Sequence, residues 1–242
     1  MLLALLACAP KPTPVEVPAE PEAPRLVTTP EHPSIVVLDG VEVLASWDDG
    51  DTFASPREGQ DPLRARLAGY NTLESYGPVH VWGDWSGEEL YGLAKEAGRV
   101  AGEGKWACYV LPGGGGYGRE RVDCPELRNE LLARGLAHLF VFDGEALPED
   151  LAAQAEAIEA GRGMWAKGAP KWLVTSLHSL DEREGQVQTY NRVAHTGDGH
   201  VEKRMHEQTY DTCEKVCPTD SCMIYVPYEL RYDPAKQPEC LK

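Results

Sequence analysis

The sequence predicts an α+β fold that is mainly β. We expect a small five-stranded Greek-key barrel with about three helices, followed by a small disulfide-rich C-terminal extension. Three observations lead to this prediction: short β-prone runs fill the first part of the chain, helical patterns follow them, and cysteines cluster near the end. The 242 residues, 42% of them hydrophobic, suffice for one full core and a smaller second unit.

The β-prone runs are separated by Asp-Gly and Gly-rich turns. They are Ile35–Leu38, Val41–Trp47, Thr52–Ser55, Leu63–Leu67, Trp106–Leu111 and Arg119–Asp123. The loop Gly113–Gly116 contains four glycines in a row but no following Lys-Ser/Thr, so it matches no P-loop and is interpreted as a mobile hairpin tip. Short strands with interspersed helices fit a barrel of the OB type.

Three helices are predicted between and after the strands. Glu88–Ala101 carries apolar residues at the spacing of a surface helix. Pro125–Arg134 is closed by a following glycine, and Pro148–Ala160 begins with proline in its first turn and also ends before a glycine.

Two segments carry the residues that suggest chemistry. The first is Trp47–Thr52, which reads W-D-D-G-D-T, and the second is Arg66–Glu74, which reads R-L-A-G-Y-N-T-L-E. A tight turn that places a carboxylate, followed by an arginine and then by small polar groups and a second carboxylate, is typical of a phosphate-handling metal site. A D-G-D turn alone is more often a hairpin turn, so the prediction depends on both segments together.

The two segments resemble the staphylococcal nuclease family, whose pattern runs D-G-D-T, then R-x-x-x-x-D-[TA]-P-E, then Y-G-R. This chain supplies the third piece as Tyr117–Arg119. Further similar blocks follow in the family's order at Asn129–Ala137, Ala152–Ala157 and Gly161–Trp165. The resemblance covers residues 34–172 and implies an OB-type barrel with calcium-dependent nuclease activity.

The resemblance also implies a metal site. Asp51 matches a carboxylate that ligates Ca²⁺, and Thr72 matches a residue whose backbone carbonyl does so. Asn71 stands where the family has a second calcium-ligating Asp, which removes a formal charge and predicts weaker or altered metal use. Leu73 replaces the usual proline of the turn.

The implied catalytic residues are two arginines and a glutamate. Arg66 and Arg119 match the arginines that bind the target phosphate and stabilise the five-coordinate transition state. Glu74 matches the carboxylate that activates water, and Tyr117 matches a tyrosine near the nucleotide phosphate. The segment Leu139–Asp143 lacks the tyrosines on which a base stacks in the best-known members.

The overall charge does not favour broad binding of nucleic acid. The chain carries a formal net charge of −16, and nonspecific adhesion to a polyanion requires a cationic surface. A nuclease of this composition needs a local positive site to attract its substrate.

The N-terminus predicts export and lipid attachment. An apolar run ends in Leu-Leu-Ala-Cys at Cys8, which resembles the lipobox of bacterial lipoprotein signals, although the usual preceding basic residues are missing. The alternative is an apolar N-terminus with a chance cysteine. Residues 9–33 are rich in proline and poor in large apolar residues, which predicts a disordered, stiffened tether. We therefore expect a lipid-anchored protein at the membrane of a bacterial cell envelope.

Six cysteines remain after Cys8, and an even number in an exported protein predicts disulfides. Cys108 and Cys124 are expected to pair because they follow one another on predicted antiparallel strands. Three pairings are open for the last four, which are Cys213, Cys217, Cys222 and Cys240. The histidines nearby suggest zinc as an alternative, but no C-x-x-C occurs.

Residues 173–242 form the predicted C-terminal extension. It contains a charged loop at Asp181–Glu184 and plausible strands at Val187–Val193 and Met223–Val226. We interpret it as a disulfide-stapled cap that packs on the domain or binds a partner of unknown identity.

Two functions stay open at this point. The first is a monomeric, lipid-anchored, calcium-dependent nuclease that acts on DNA or RNA. The second is a non-catalytic OB-type binding module displayed at the membrane, in which the old site is a ligand pocket or a relic. The acidic balance and Asn71 favour the second, and Arg66, Glu74 and Arg119 together favour the first.

Overall fold

The computed structural model describes residues 33–231 and 235–241. The predicted signal with Cys8, and nearly all of the predicted tether 9–33, lie outside these residues. The described part is an α+β structure dominated by strands, with four α-helices and three disulfides. No helix in this part is long and apolar enough to cross a membrane.

A closed barrel of six strands is the largest unit of the structure. Its strands, in the order in which they are hydrogen-bonded, are β1 (Pro33–Leu38), β2 (Val41–Trp47), β3 (Thr52–Ser55), β4 (Leu63–Leu67), β8 (Glu120–Asp123) and β7 (Lys105–Leu111). Parallel pairing of β1 with β7 closes the barrel. The barrel interior is filled by buried apolar side chains that include Val36, Trp47, Phe53, Ala65 and Val122.

The barrel has six strands where five were predicted, because each of the six β-prone runs, the N-terminal one included, forms a barrel strand. Asp39 and Gly40 both adopt positive φ, 48° and 85°, which is the conformation of a two-residue type I′ hairpin. This turn pairs Leu38 directly with Val41 and aligns β1 along the whole of β2. The Asp-Gly dipeptide therefore sets the register of β1 on β2.

Smaller sheets surround the barrel. They are β5 (Gly69–Thr72) with β9 (Ala137–Phe140); β13 (Lys215–Val216), β14 (Cys222–Ile224) and β6 (Val79–Val81); and β10 (Trp172–Ser176), β11 (Thr189–His195) and β12 (Val201–His206). Pairing of β14 with β6 joins the C-terminal extension to the first part of the chain. The extension has its own apolar cluster, in which Val193, Met223 and Tyr225 are buried.

The three predicted helices are present. They are α1 (Gly87–Glu103), α2 (Pro125–Ala133) and α3 (Pro148–Glu159), and a fourth short helix, α4 (Tyr228–Arg231), lies near the end. Ser86 starts α1 with a capping box, in which its hydroxyl accepts from the Glu89 N–H and the Glu89 carboxylate accepts from the Ser86 N–H. Prolines occupy the first turn of both α2 and α3, where their missing N–H costs nothing.

The disulfides form as expected and remove the open choice among the last four cysteines. Cys108 on β7 pairs with Cys124, which precedes α2. Cys213 pairs with Cys240, and Cys217 pairs with Cys222. All six cysteines are thus occupied as disulfides, so the zinc alternative has no thiolate ligand available in this region.

Candidate functional site

Asp51 occupies the centre of the site and is only 2% exposed. It ends the turn between β2 and β3, in which Gly50 packs closely against Leu131 and Thr72. A Cβ added at Gly50 would lie 2.9 Å from side-chain atoms of both Leu131 and Thr72, so only glycine fits there without displacing neighbours. Leu67 N–H donates to the Asp51 carbonyl at 2.8 Å, which fixes the turn to β4.

The Asp51 carboxylate is fully engaged by hydrogen bonds. Its Oδ2 accepts from the Thr72 N–H at 2.8 Å and from the Thr72 hydroxyl at 3.1 Å. Its Oδ1 accepts from the Thr52 hydroxyl at 2.9 Å and from Nη1 of Arg66, with which it forms an ion pair. Four donors match the roughly four acceptor positions of a carboxylate.

Arg66 reaches Asp51 because β3 and β4 pair in register. Thr52 and Arg66 are direct cross-strand partners, so the guanidinium projects beside the start of β3. Burial alone would lower the pKa of Arg66, but the carboxylates of Asp51, Asp49 and Glu74 raise it. The guanidinium is therefore a permanent cation held among several acidic groups.

The carboxylates of Asp49 and Glu74 are close enough to Asp51 to be repelled by its negative charge. Burial, followed by repulsion from Asp51, raises the pKa of Asp49 well above its usual value and also raises the pKa of Glu74. Asp49 Oδ1 accepts from the Asp51 N–H at 3.2 Å. Asp49 was not among the predicted site residues, although it stands in the same W-D-D-G-D-T turn.

Arg119 lies near Arg66, at the hairpin between β7 and β8. Its Nε donates to the Gly116 carbonyl at 3.3 Å, and its guanidinium lies 5.6 Å from the ring centre of Tyr117. Burial lowers the pKa of Arg119, and the neighbouring charge of Arg66 lowers it further. Tyr117 has a φ of 53° and is 68% exposed, so its ring is accessible to a ligand.

The Gly-rich loop Gly113–Gly116 packs closely against Arg66. A Cβ at Gly115 would lie 3.1 Å from Cβ of Arg66 and 3.0 Å from the Glu120 carbonyl. Gly115 N–H also donates to the Arg119 carbonyl at 2.7 Å. The small residue lets the loop approach Arg66 closely and brings the two arginines to one side of the barrel.

Asn71 is 3% exposed, and its Oδ1 finds no hydrogen-bond donor within the described part of the chain. It lies on β5, where it is the direct cross-strand partner of His138 on β9. Nε2 of His138 is likewise buried and unpartnered, while Nδ1 lies 2.9 Å from the Leu139 carbonyl. An acceptor left unpaired in the interior is costly unless a cation or a water supplies the missing partner.

Two more groups near the site were not predicted. Tyr70 is fully buried and donates its hydroxyl to the Gly50 carbonyl at 2.6 Å. Both nitrogens of His80 are buried and find no partner among residues 33–231 and 235–241, and burial, together with the nearby His138, lowers the pKa of His80 to about 3. These roles arise from burial by β5, β6, β9 and β14, which local sequence patterns do not reveal.

The predicted calcium ligands are hard oxygens, as Ca²⁺ requires. The Oδ1 atom of Asn71, which has no hydrogen-bond partner among the described residues, is a potential ligand of this type. Asp51, however, shares all of its acceptor positions with Arg66, Thr52 and Thr72, so metal binding there requires Arg66 to leave. No group of three or more His, Cys, Asp and Glu suited to a metal occurs among residues 33–231 and 235–241.

The structure thus brings Asp51, Arg66 and Thr72 into direct contact and places Glu74 and Arg119 in the same electrostatic environment. No model of a known protein family matches this chain, and no curated protein matches its sequence significantly. The likeness to the staphylococcal nuclease family therefore stays a prediction from the motifs.

Proposed function

We propose that the protein is a phosphodiesterase of the staphylococcal nuclease type that hydrolyses DNA or RNA. The observation that carries the proposal is the Asp51–Arg66 ion pair with a second arginine, Arg119, and a second carboxylate, Glu74, beside it. Two cations and two carboxylates on one side of a barrel provide both a clamp for a phosphate and an acceptor for a proton. We take the barrel to be an OB-type fold to which β1 adds a sixth strand.

Hydrolysis by this site begins when the target phosphate replaces Asp51 as the partner of Arg66. Arg66 and Arg119 then hold the nonbridging oxygens and stabilise the charge that builds up on them in the transition state. Glu74 accepts a proton from the attacking water as the new phosphorus–oxygen bond forms. The opposite phosphorus–oxygen bond breaks, and the departing oxygen takes a proton from solvent.

In this proposal Ca²⁺ would be held by the Asp51 carboxylate, the Asn71 amide oxygen and the Thr72 backbone carbonyl. When bound, it would supply Lewis-acid polarisation of a phosphoryl oxygen. The unpartnered Asn71 Oδ1 supports this assignment, and release of Asp51 by Arg66 is its precondition.

The test is hydrolysis of single-stranded and duplex DNA and of RNA by the oxidised protein, with calcium from micromolar to millimolar and with chelator. We expect Arg119→Ala and Glu74→Gln to lower the rate by about 100-fold or more. Arg134→Ala and Glu130→Gln, which disrupt an exposed ion pair at the C-terminal end of α2, are matched controls and should keep the rate. Equal rates in all four variants would refute the assignment of the site.

A second candidate is a non-catalytic binding module built on the same fold. The complete engagement of Asp51 by protein donors and the neutral side chain at Asn71 favour it. If the protein cleaves no nucleic acid at any calcium level but Asn71→Asp restores cleavage, the chain is a disarmed nuclease retained for binding.

The proposed location is the bacterial cell envelope, with a lipid on Cys8 and residues 9–33 as a tether that lets a monomeric domain reach its substrate. Labelling of growing cells with a radioactive fatty acid tests this part. We expect label on the protein and none on a Cys8→Ser variant. Absence of label on the wild-type protein would refute the lipid anchor at Cys8.

A further inference from the structure

A serine, a histidine and a glutamate of the C-terminal extension form one hydrogen-bonded chain. Oγ of Ser176 lies 3.4 Å from Nε2 of His178, and Nδ1 of His178 lies 3.2 Å from Oε2 of Glu182. When Nδ1 carries the ring proton it donates to Glu182, which leaves Nε2 as the acceptor for the Ser176 hydroxyl. A hydroxyl, an imidazole and a carboxylate joined through these atoms, in this order, activate a serine as a nucleophile.

The local backbone explains why these side chains meet. Ser176 ends β10, two residues before His178, and Glu182 ends the 3₁₀ turn Leu180–Glu182 that follows. The register of β10 on β11 shifts between Val174 and Ser176, as in a β-bulge. In a regular strand these two residues would share a face, but Val174 is fully buried and Ser176 is partly exposed. The bulge therefore turns the serine towards the accessible face of the sheet.

Neighbouring groups hold the glutamate and the histidine in place. Oε1 of Glu182 accepts from the Tyr225 hydroxyl at 2.9 Å. Burial raises the pKa of the Glu182 carboxyl, but hydrogen bonds from His178, Ser179 and Tyr225 outweigh burial and hold this pKa below its usual value. The N–H of His178 donates to Oδ1 of Asn191 at 3.2 Å. The carboxylate is thus ionised and fixed where it orients the imidazole.

Two side chains of β11 face the serine and the histidine. Arg192 is the direct cross-strand partner of Ser176, so their side chains share a face with Cβ atoms about 5 Å apart. Nε of Arg192 is buried and finds no acceptor among the described residues. The ring of His178 packs against that of Tyr190 at 4.9 Å between ring centres. An N–H without an acceptor beside a nucleophilic serine is suited to donate to a developing oxyanion.

An apolar surface borders the same groups. Met205 on β12 is the cross-strand partner of Tyr190 and is 53% exposed. The thioether and the ring offer an adaptable contact for a small apolar acyl group. Among carbonyl compounds, an ester asks least of a partly exposed site, because an alkoxide departs more readily than an amide anion.

We propose that Ser176, His178 and Glu182 form a serine esterase site for carboxylic esters with a small apolar acyl group. Oγ of Ser176 attacks the ester carbonyl carbon and gives its proton to Nε2 of His178, while the C=O electron pair moves onto oxygen beside Arg192. When the tetrahedral centre collapses, the bond to the leaving oxygen breaks and that oxygen takes the proton from His178. Water then attacks the acyl-serine through the same steps, releasing the carboxylic acid and restoring the Ser176 hydroxyl.

The experiment is covalent labelling of the full oxidised chain with a fluorophosphonate, which forms a phosphorus–oxygen bond to an activated serine as fluoride leaves. Intact mass counts the labels, and peptide mapping locates them. We expect one label, on Ser176, and a labelling rate lower by about 100-fold or more in His178→Gln. Hydrolysis of p-nitrophenyl acetate should be abolished in Ser176→Ala, and Arg192→Gln should lower its kcat by about 100-fold.

Glu182 acts through His178 and is a positioning residue. Glu182→Gln should lower kcat for the ester while leaving KM unchanged, because the substrate does not touch this carboxylate. Glu182→Asp, which keeps the negative charge, should recover part of the loss. Equal kcat values in the wild type and Glu182→Gln would refute this role.

Two variants are matched controls. Ser86→Ala removes an exposed serine that caps α1. His195→Gln removes a histidine whose Nδ1 lies 2.9 Å from Oδ1 of Asp198, and which forms no hydrogen bond to a serine within the described part of the chain. Both variants should be labelled, and should hydrolyse the ester, at the rate of the wild type.

The outcome with the wild type alone decides the nucleophile, since it requires no variant to fold. Absence of label on Ser176, or an equal labelling rate in His178→Gln, would overturn the site. Unchanged ester hydrolysis in Ser176→Ala would also overturn it. The nuclease proposal fails or stands separately: Glu74→Gln should keep full ester hydrolysis, and Ser176→Ala should keep the diester hydrolysis that the wild type shows.

Discussion

Asn71 is the residue on which the proposed calcium binding depends most. It supplies a neutral oxygen where the staphylococcal nuclease pattern has a carboxylate, and that oxygen is buried with no hydrogen-bond donor among the described residues. Because the charge of the ligands tunes calcium affinity over orders of magnitude, we expect Asn71→Asp to tighten calcium binding by about 10-fold or more. Isothermal titration calorimetry measures the change, and Asn129→Asp on α2 controls for the added charge.

Equal calcium affinities in the two aspartate variants would place the ion elsewhere or exclude it. A rise in both would indicate a general effect of net charge. Only a rise confined to Asn71→Asp supports a site shared with Asp51.

The buried His80 should make the free energy of unfolding depend on pH. Burial, and the nearby His138, lower the pKa of His80 to about 3 in the folded chain, whereas an unfolded histidine titrates near pH 6.5. The unfolded state therefore binds a proton below about pH 6.5 while the folded state does not, and the free energy of unfolding falls as the pH drops towards 3. At pH 5 the expected loss from this residue is about 2 kcal/mol.

Urea unfolding at a series of pH values tests this expectation. His80→Gln should unfold with a shallower dependence on pH between 6.5 and about 4 than the wild type. His200→Gln, at an exposed histidine, is the control. A wild type and a His80→Gln variant with parallel curves would contradict the buried neutral state of His80.

At the scale of single elements, Gly135 lies between α2 and β9 and packs against the turn at Arg162–Met164. It has a φ of 65°, and an added Cβ would lie 2.2 Å from the Arg162 carbonyl oxygen. Its own carbonyl accepts from the Met164 N–H at 2.8 Å. We expect Gly135→Ala to lower the free energy of unfolding by about 2 to 5 kcal/mol, since backbone strain and overlap add.

Gly144→Ala is the matched control for this prediction. Gly144 also has a positive φ, 81°, but no atom lies within 4 Å of its added Cβ. Thermal unfolding should therefore show a smaller loss for Gly144→Ala, and the difference measures the close contact at Gly135. Equal losses would mean that backbone strain alone sets the cost.

The helices and most barrel strands could be predicted from the sequence because their signals are local. Pro at the start of α2 and α3, and the apolar spacing of α1, need no knowledge of distant residues. Strands β5, β6 and β9 were missed because each has only three or four residues and pairs with a segment far along the chain. The same distant pairing explains why Tyr70, His80 and the orphaned Asn71 Oδ1 could not be foreseen.

At the scale of the whole molecule, the C-terminal extension is joined by backbone and side-chain hydrogen bonds to the elements that surround the barrel. Met223 of β14 pairs with His80 of β6, and Val141 forms a bridge with His200. Gln154 of α3 donates to the Thr196 carbonyl at 2.6 Å. Removal of the extension would uncover β6 and β9, on both of which buried histidines lie.

We therefore expect a chain that ends at Trp172 to lose cooperative unfolding and to aggregate, because it exposes a strand edge and the apolar surface under Leu173. The double variant Cys213→Ser/Cys240→Ser is the control, since it removes a staple but keeps β14. That variant should stay folded with a loss of about 3 kcal/mol. Calorimetry compares the three proteins. A truncated chain that melts cooperatively at the midpoint of the intact protein would show instead that the barrel is independent and the extension an appendage.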